Sequence, residues 1–190
     1  MRITLSSILA VIAMVLTSQF AQADDYSEAK KIFMDAGESA AFFNNSYGYA
    51  LFPNIGKGGM GIGGAHGKGK VYVGGKHVGN TSMTQVTVGL QLGGQVYSQI
   101  IFFEDERAFK EFTSGNFEFG AQATAVAITA AAGAQATTGG GSSAGASGGK
   151  SDAKTVSGGY SKGMAIFTVA KGGLMYEATL GGQKYSYEPV

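Results

Sequence analysis

Glycine recurs every few residues between positions 56 and 94, and this spacing constrains the fold more than any other feature of the chain. Short strand-like runs separate the glycines, as in Lys70-Val71-Tyr72-Val73. Glycine inside a strand permits bulges, sharp bends and the close approach of two backbones. The pattern therefore predicts a strongly bent sheet.

The same stretch is similar to a nucleotide-binding loop. "GKGGMGIGG" contains the spacing G-x-G-x-x-G, and residues 64–70 nearly fit a phosphate-binding loop. Such a loop must open directly into a helix, because the helix N-terminus holds the phosphate. Residues 70–73 have a strand pattern instead, and Val71 stands where a serine or threonine would bind the metal ion. We therefore expect no bound nucleotide and no other cofactor.

The first residues have the pattern of a secretory signal peptide. An apolar run over residues 8–16 is followed by an A-x-A cleavage site at residues 21–23. We therefore expect a signal peptide over 1–23 and one domain over 24–190. The protein is expected to be exported, to the periplasm or the medium, with peripheral attachment to a membrane as an option. The chain has no cysteine, which excludes disulfides and thiol chemistry.

Charge is nearly balanced but unevenly distributed. The chain has 14 basic and 13 acidic residues, so it lacks the basic excess of a nucleic-acid-binding protein. No aspartate or glutamate lies between Glu38 and Glu104, whereas four lysines do: Lys57, Lys68, Lys70 and Lys76. This asymmetry predicts either a surface that faces anions, such as headgroups or acidic glycans, or ordinary solvated loops.

Residues 27–43 have apolar side chains at helical spacing and predict an N-terminal helix. Residues 104–112 predict a second short helix with acidic residues at its start. Residues 83–92 and 95–103 alternate as strands, and we interpret them as an antiparallel pair. The segment 121–132 fits either strand or helix. Three further strands are predicted at residues 163–170, 173–180 and 184–187.

The segment at about 137–155 is rich in glycine and serine and predicts a flexible loop. The elements together indicate an α+β fold. We expect a single domain in which the N-terminal helix and the second short helix flank a curved or barrel-like antiparallel sheet.

No set of side chains indicates catalysis or metal binding. The G-x-S-x-G sequence at residues 141–145 lies in the glycine- and serine-rich segment, away from the strand and helix that a nucleophile elbow requires. His66 and His77 lack a nearby carboxylate, whereas zinc sites use three or four ligands. We expect a protein that is not an enzyme.

The N-terminal helix has two interpretations. Its apolar residues Ile32, Phe33 and Phe43 could contact lipid while Lys30 and Lys31 meet anionic headgroups. Alternatively, the same apolar face packs on the sheet as part of the core. The second arrangement is the more usual one for an amphipathic helix beside a sheet.

Several motifs in order resemble the SYLF domain, over about residues 26–189. They are "GYALFPNIGKGGMGIGGAHGKGKVYVGG", "TVGLQLGGQVYSQIIFF", "AFKEF", "FEFGAQATAVA" and "KGMAIFTVAKGGLMYEATLGGQKYSY". The chain is similar to the exported bacterial branch of that family. The resemblance implies a lipid-binding module without catalytic activity. Eukaryotic members bind phosphoinositide-containing membranes, and some bind or bundle actin.

In relatives the membrane contact is attributed to an amphipathic N-terminal helix with nearby basic residues. The short helix of this chain carries acidic residues among its basic ones and follows an export signal, so actin is not an expected partner. We expect a non-catalytic lipid- or membrane-binding domain of the cell envelope that contacts anionic headgroups. The alternative is a protein-interaction or envelope-structural module with an envelope protein as partner. The residues expected to bind lipid are Lys30, Lys31, Ile32, Phe33, Phe43, Lys57, Lys68 and Lys70.

Overall fold

The computed structural model describes residues 24–120, 123–128, 160–171 and 178–190. The predicted signal peptide lies outside the described residues, as does the predicted loop at about 137–155. Both therefore stay predictions. Within the described residues the chain is α+β, with short helices beside a curled sheet, which confirms the predicted fold class.

The predicted N-terminal helix is present but interrupted. It consists of α1 (24–35), α2 (Gly37–Ala40) and α3 (Phe42–Asn45). The interruption lies at Ala36, whose backbone is extended, and Ser39 Oγ donates a hydrogen bond of 2.6 Å to the carbonyl oxygen of Phe33 across it. The chain therefore turns toward the sheet earlier than the helical periodicity predicts.

The second short helix is α4 (Glu106–Phe112), close to its predicted bounds. Asp105 caps it, because its carboxylate accepts a hydrogen bond of 2.8 Å from the amide of Ala108. An aspartate at this position satisfies a free amide and complements the helix dipole.

Two long strands dominate the sheet. They are β1 (Gly48–Val73) and β2 (Lys76–Phe103), paired antiparallel and joined by a turn at Gly74 and Gly75, both with positive φ. The prediction of a hairpin between residues 83–92 and 95–103 is wrong, since both segments belong to β2. Gly93 and Gly94 do not turn the chain, because they continue the ladder opposite β1.

The remaining described strands complete the sheet. They are β3 (Phe117–Glu118), β4 (Thr124–Ile128), β5 (Met164–Lys171), β6 (Ala178–Thr179) and β7 (Gln183–Pro189). The order is β3-β7-β2-β5-β4-β6, with β1 on β2. Pairing is antiparallel as predicted except between β4 and β5, which run parallel. The connection between β4 and β5 exceeds the dozen residues that a parallel crossover needs.

Glycine allows β1 to fold back over itself. A Cβ atom at Gly67 would lie 2.6 Å from the side chain of Ile55, and one at Gly69 would lie 2.7 Å from the ring of Phe52. The early and late halves of β1 are thus in contact at a distance that excludes larger residues. The register also shifts between Gly59 and Gly61, where β1 bulges. These contacts confirm that the glycines allow sharp bending of the sheet.

Both faces of the sheet are covered where β1, β2 and β5 lie side by side. Alternate residues of β2 enter two separate clusters: Ile101 and Phe103 pack with Phe112 of α4, whereas Ile100 and Phe102 pack with Phe33 of α1. The two helical elements therefore lie on opposite faces of the sheet. Beyond this region the inner face of the curled sheet stays buried, while its outer face is exposed.

Candidate functional site

The apolar side chains predicted to contact lipid lie in the core or pack against it. Phe33 has no exposed surface, and Ile32 and Phe43 are partly buried. The ring of Phe43 packs edge-on against Phe102, with ring centres 4.9 Å apart. The structure thus has the docked arrangement of the helix, in which Phe33 does not reach the surface.

Lys30 and Lys31 have different surroundings although they are neighbours in α1. Lys31 is exposed and forms an ion pair of 2.7 Å with Asp35 one turn later. This carboxylate raises the pKa of Lys31. The ammonium of Lys30 lies 5.9 Å from the ring centre of Tyr49 on β1. Lys30 is therefore directed toward the junction between α1 and β1.

We name this place the junction cluster, and it contains three of the predicted lysines. Its members are Tyr26, Lys30, Tyr49, Lys68, Lys70 and Tyr72. The ammonium of Lys70 lies 4.5 Å above the ring of Tyr26, whose hydroxyl donates a hydrogen bond of 3.4 Å to the Lys68 carbonyl. The rings of Tyr49 and Tyr72 stack with centres 5.0 Å apart. The cluster joins residues far apart in sequence because α1 crosses the late half of β1.

The junction cluster combines neutral tyrosines with lysines that have no ion-pair partner among the described residues. Burial raises the pKa of Tyr26 to about 12, with further contributions from Tyr72 and Asp25, so its hydroxyl is protonated at neutral pH. Burial also raises the pKa values of Tyr49 and Tyr72. Within the described part of the chain, none of Lys30, Lys68 and Lys70 forms an ion pair with a carboxylate. Their positive charge is therefore not neutralised by direct pairing there.

A cleft of about 290 Å³ adjoins the junction cluster. It is lined by Asp25, Tyr26, Pro53, Asn54, His66, Gly67 and Lys68. Beside the cleft, the Asn54 side-chain amide donates a hydrogen bond of 2.8 Å to Asp25 Oδ2. The Oδ1 atom of Asn54 accepts a hydrogen bond of 2.8 Å from the Lys171 ammonium. This chain of hydrogen bonds ties α1 to β1 and β5. It fixes the helix position relative to Lys68.

Lys57 lies elsewhere on β1, opposite Gln95 of β2, and is partly buried. Among the described residues no contact connects it with the junction cluster. The structure thus brings together Lys30, Lys68 and Lys70, and leaves Lys31 and Lys57 apart from them. Sequence reasoning missed Asp25, Tyr26 and Asn54, whose proximity to the lysines depends on how α1 crosses β1.

Sequence reasoning also missed a pair of exposed apolar side chains on the outer face of the sheet. Ile62 and Val86 are each 72% exposed. Burial alternates over this part of β1: His66 and Lys68 are exposed, whereas their neighbours Ala65 and Gly67 are buried. Side chains alternate between the two faces of a strand, and this alternation was the sequence signal that could have placed Ile62 on the same face as Lys68.

A buried polar network occupies the inner face of the curled sheet. The Gln99 amide donates to Gln183 Oε1 at 3.1 Å and to the Tyr185 hydroxyl at 2.8 Å. Tyr185 donates in turn to Gln183, and burial holds the pKa of Tyr185 well above its usual value. Gln99 Oε1 has no partner among the described residues. The network consists of amides and phenols, so it supplies no nucleophile or general base at neutral pH.

The part of the chain that the structure describes contains no group of three or more histidine or acidic side chains arranged to hold a metal ion. Among the described helices, none is both long and apolar enough to cross a membrane. His66 approaches Thr84, and His77 lies against the ring of Tyr72.

Comparison with known proteins relates the chain to a protein family and to a bacterial protein. A family model described as "Ysc84: Las17-binding protein actin regulator" matches residues 84–186. Beta cell expansion factor A from Aeromonas veronii is 29% identical over 157 residues, which is 82% of this chain and 51% of that protein. The chain therefore spans about half the length of this relative.

Proposed function

This chain belongs to the Ysc84 (SYLF) family, and from that premise we propose that it is a non-catalytic lipid-binding domain of the cell envelope that contacts anionic headgroups. Membership groups it with lipid-binding and actin-related domains. The observation that carries the proposal is the junction cluster, which includes Lys30, Lys68 and Lys70, none of them in an ion pair with a carboxylate among the described residues. We do not extend the actin role to this chain, because the expected export signal would separate it from actin.

The proposed contact is electrostatic and assisted by aromatic rings. Each lysine near an anionic membrane contributes on the order of 1 kcal/mol, and salt screens this attraction. Tyrosine is enriched where membranes meet water, since its ring is apolar and its hydroxyl polar. Tyr26 and Tyr72 lie beside the lysines and are partly exposed. Phe33 could join the contact only if α1 left the sheet, whereas Ile32 and Phe43 keep part of their surface exposed.

Flotation of the protein, purified from cells that export it, with neutral and with anionic vesicles tests this proposal. The Lys30→Gln/Lys68→Gln variant removes two charges from the junction cluster. At about 1 kcal/mol for each lysine, its partition onto anionic vesicles should fall roughly 30-fold at low salt. The wild type should bind anionic vesicles more tightly than neutral ones and should lose this preference as salt rises.

The matched control is Arg107→Gln/Lys110→Gln, which makes the same charge change on α4. Both side chains form exposed ion pairs there, on the side of the sheet opposite α1. Partition of the control should stay within about threefold of the wild type, because exposed pairs remote from the contact contribute little. Equal losses in the two variants would show a response to net charge alone and would contradict the proposed site.

A second candidate function is the protein-interaction or envelope-structural module, and one observation favours it. Within the described residues β1 pairs only with β2, so one edge of a 26-residue strand has no strand partner there. Such edges can accept a strand from another protein. Cross-linking of the exported protein in intact envelopes at high salt distinguishes the two functions, because strand pairing persists when lysine–headgroup attraction is screened.

A further inference from the structure

The outer face of the β1–β2 ladder carries an apolar pair, Ile62 and Val86. Val86 lies opposite Gly64, and Gly64 is two residues beyond Ile62 on β1. The two side chains therefore lie diagonally across neighbouring strands on one face, within about 8 Å of each other. Both are 72% exposed, more than any other large apolar side chain described within a strand.

Cationic and polar side chains continue this face away from the apolar pair. His66 and Lys68 follow Ile62 on β1 at strand spacing, and both are exposed. Thr84 of β2 lies between His66 of β1 and Lys184 of β7 in the sheet. The ammonium of Lys184 forms an ion pair of 3.5 Å with Glu118. No acidic residue lies anywhere in β1 or β2. An apolar end followed by His66 and Lys68 is thus built into one surface, and the acidic residues of this face, Glu118 and Glu188, lie on β3 and β7.

The chemistry of this face fits a lipid surface better than a protein. A stable protein interface buries roughly 800 Å² on each partner, which two aliphatic side chains cannot supply. A peripheral membrane contact needs only a few apolar groups at the acyl boundary and cations at the level of the phosphates. Lys68 belongs both to this face and to the junction cluster, so the two surfaces are continuous.

We infer that Ile62 and Val86 insert into the membrane interface while His66 and Lys68 contact lipid phosphates. The inference rests on the proposed lipid binding and deepens it. The contact is made by the outer face of the sheet with α1 still docked, so no helix has to leave the core.

The absence of tryptophan from the sequence allows a direct test. Ile62→Trp introduces a single tryptophan at the apolar pair, and Val190→Trp introduces one at a site that is 71% exposed. With anionic vesicles, emission from position 62 should shift to the blue and be quenched by lipids brominated on the acyl chain. Emission from position 190 should neither shift to the blue nor be quenched.

A second pair of variants measures how much the insertion contributes to binding. Ile62→Ser/Val86→Ser should lower partition onto anionic vesicles about tenfold or more, because two aliphatic side chains no longer leave water. Met34→Ser/Val190→Ser removes two exposed apolar side chains elsewhere and should change partition less than about twofold. Unchanged circular dichroism and thermal midpoints would show that both variants remain folded.

The outcomes separate this inference from the proposed function. If the protein floats with anionic vesicles but the Ile62→Trp variant shows no emission shift, the sheet face does not insert and the inference is overturned, while lipid binding stands. If the protein does not float at all, both are wrong. A blue shift without vesicles that grows with protein concentration would identify a second copy as the occupant and would also overturn the inference.

Discussion

Replacing Phe33 by alanine should release α1 from the sheet without unfolding the domain. Phe33 is fully buried against the face that includes Leu51, Ile100 and Phe102. The other buried apolar residues of this segment are Ala29 and, at its end, Ala36, which bury little area, while Tyr26 and Ile32 are partly buried against the same cluster. Phe33 is therefore the largest fully buried side chain that holds the helix in place.

The magnitude follows from the area involved. A buried phenylalanine removes about 200 Å² from water, which at about 25 cal/mol per Å² is about 5 kcal/mol. Phenylalanine-to-alanine changes in cores cost about 3–5 kcal/mol, in agreement with this value. The contacts of α1 that remain are two alanines, the partly buried Tyr26 and Ile32, and the hydrogen bond between Asn54 and Asp25, and a loss of this size outweighs them. The docked state of α1 should therefore become a minor population.

Native-state hydrogen exchange is the appropriate assay, because it separates local release from global unfolding. In Phe33→Ala the amides of residues 24–35 should lose protection while those of β2 and β5 keep theirs. Met34→Ala is the control, since Met34 is its neighbour in the same helix and is 50% exposed. Its exchange should match the wild type. Equal loss of protection in the helix and in the sheet would refute the reasoning, as would identical behaviour of the two variants.

Three further predictions concern the inner polar network, the pH dependence of stability that buried tyrosines cause, and the glycine contacts of β1. Tyr185→Phe should lower the free energy of unfolding by about 1–3 kcal/mol in urea titration, because two buried glutamine side chains lose a partner. Burial raises the folded-state pKa of Tyr26 to about 12 and that of Tyr185 well above 10, so both favour the neutral form in the fold. Their stabilisation is complete below pH 10 and should be lost as pH rises through these pKa values; base titration should show a shallower loss for Tyr185→Phe. Gly69→Ala should lower the thermal midpoint markedly, because its Cβ would overlap the ring of Phe52, whereas Gly56→Ala meets no atom within 4 Å and should change it little.

The arrangement of the candidate site could be predicted from the sequence only in part, for a physical reason. The charge asymmetry identified Lys68 and Lys70, and the helix identified Lys30, but nothing local indicates that these three meet. Their meeting depends on the angle at which α1 crosses the late half of β1. The sequence also treated Phe33 as a residue that could contact lipid, and burial in the sheet decides that it is core.

By itself the sequence determined the features that short-range physics controls. Helical spacing located the first helix, acidic residues marked the start of α4, and glycine frequency predicted a bent sheet with close backbone contacts. The ordered motifs indicated the family. These features depend on residue type and on neighbours along the chain, so they can be predicted without knowing which residues pack together in the fold.

Only the tertiary structure decided which strands pair and which faces are covered. Alternation over residues 83–92 and 95–103 fits two strands of a hairpin as well as one long strand. The choice was made by β1, which pairs with β2 on both sides of Gly93 and Gly94. Alternation likewise defines two faces without telling which is solvated. The curl of the sheet buries Ala65 and exposes Ile62 on the opposite face, because β1 folds over itself where glycine allows the backbones to touch.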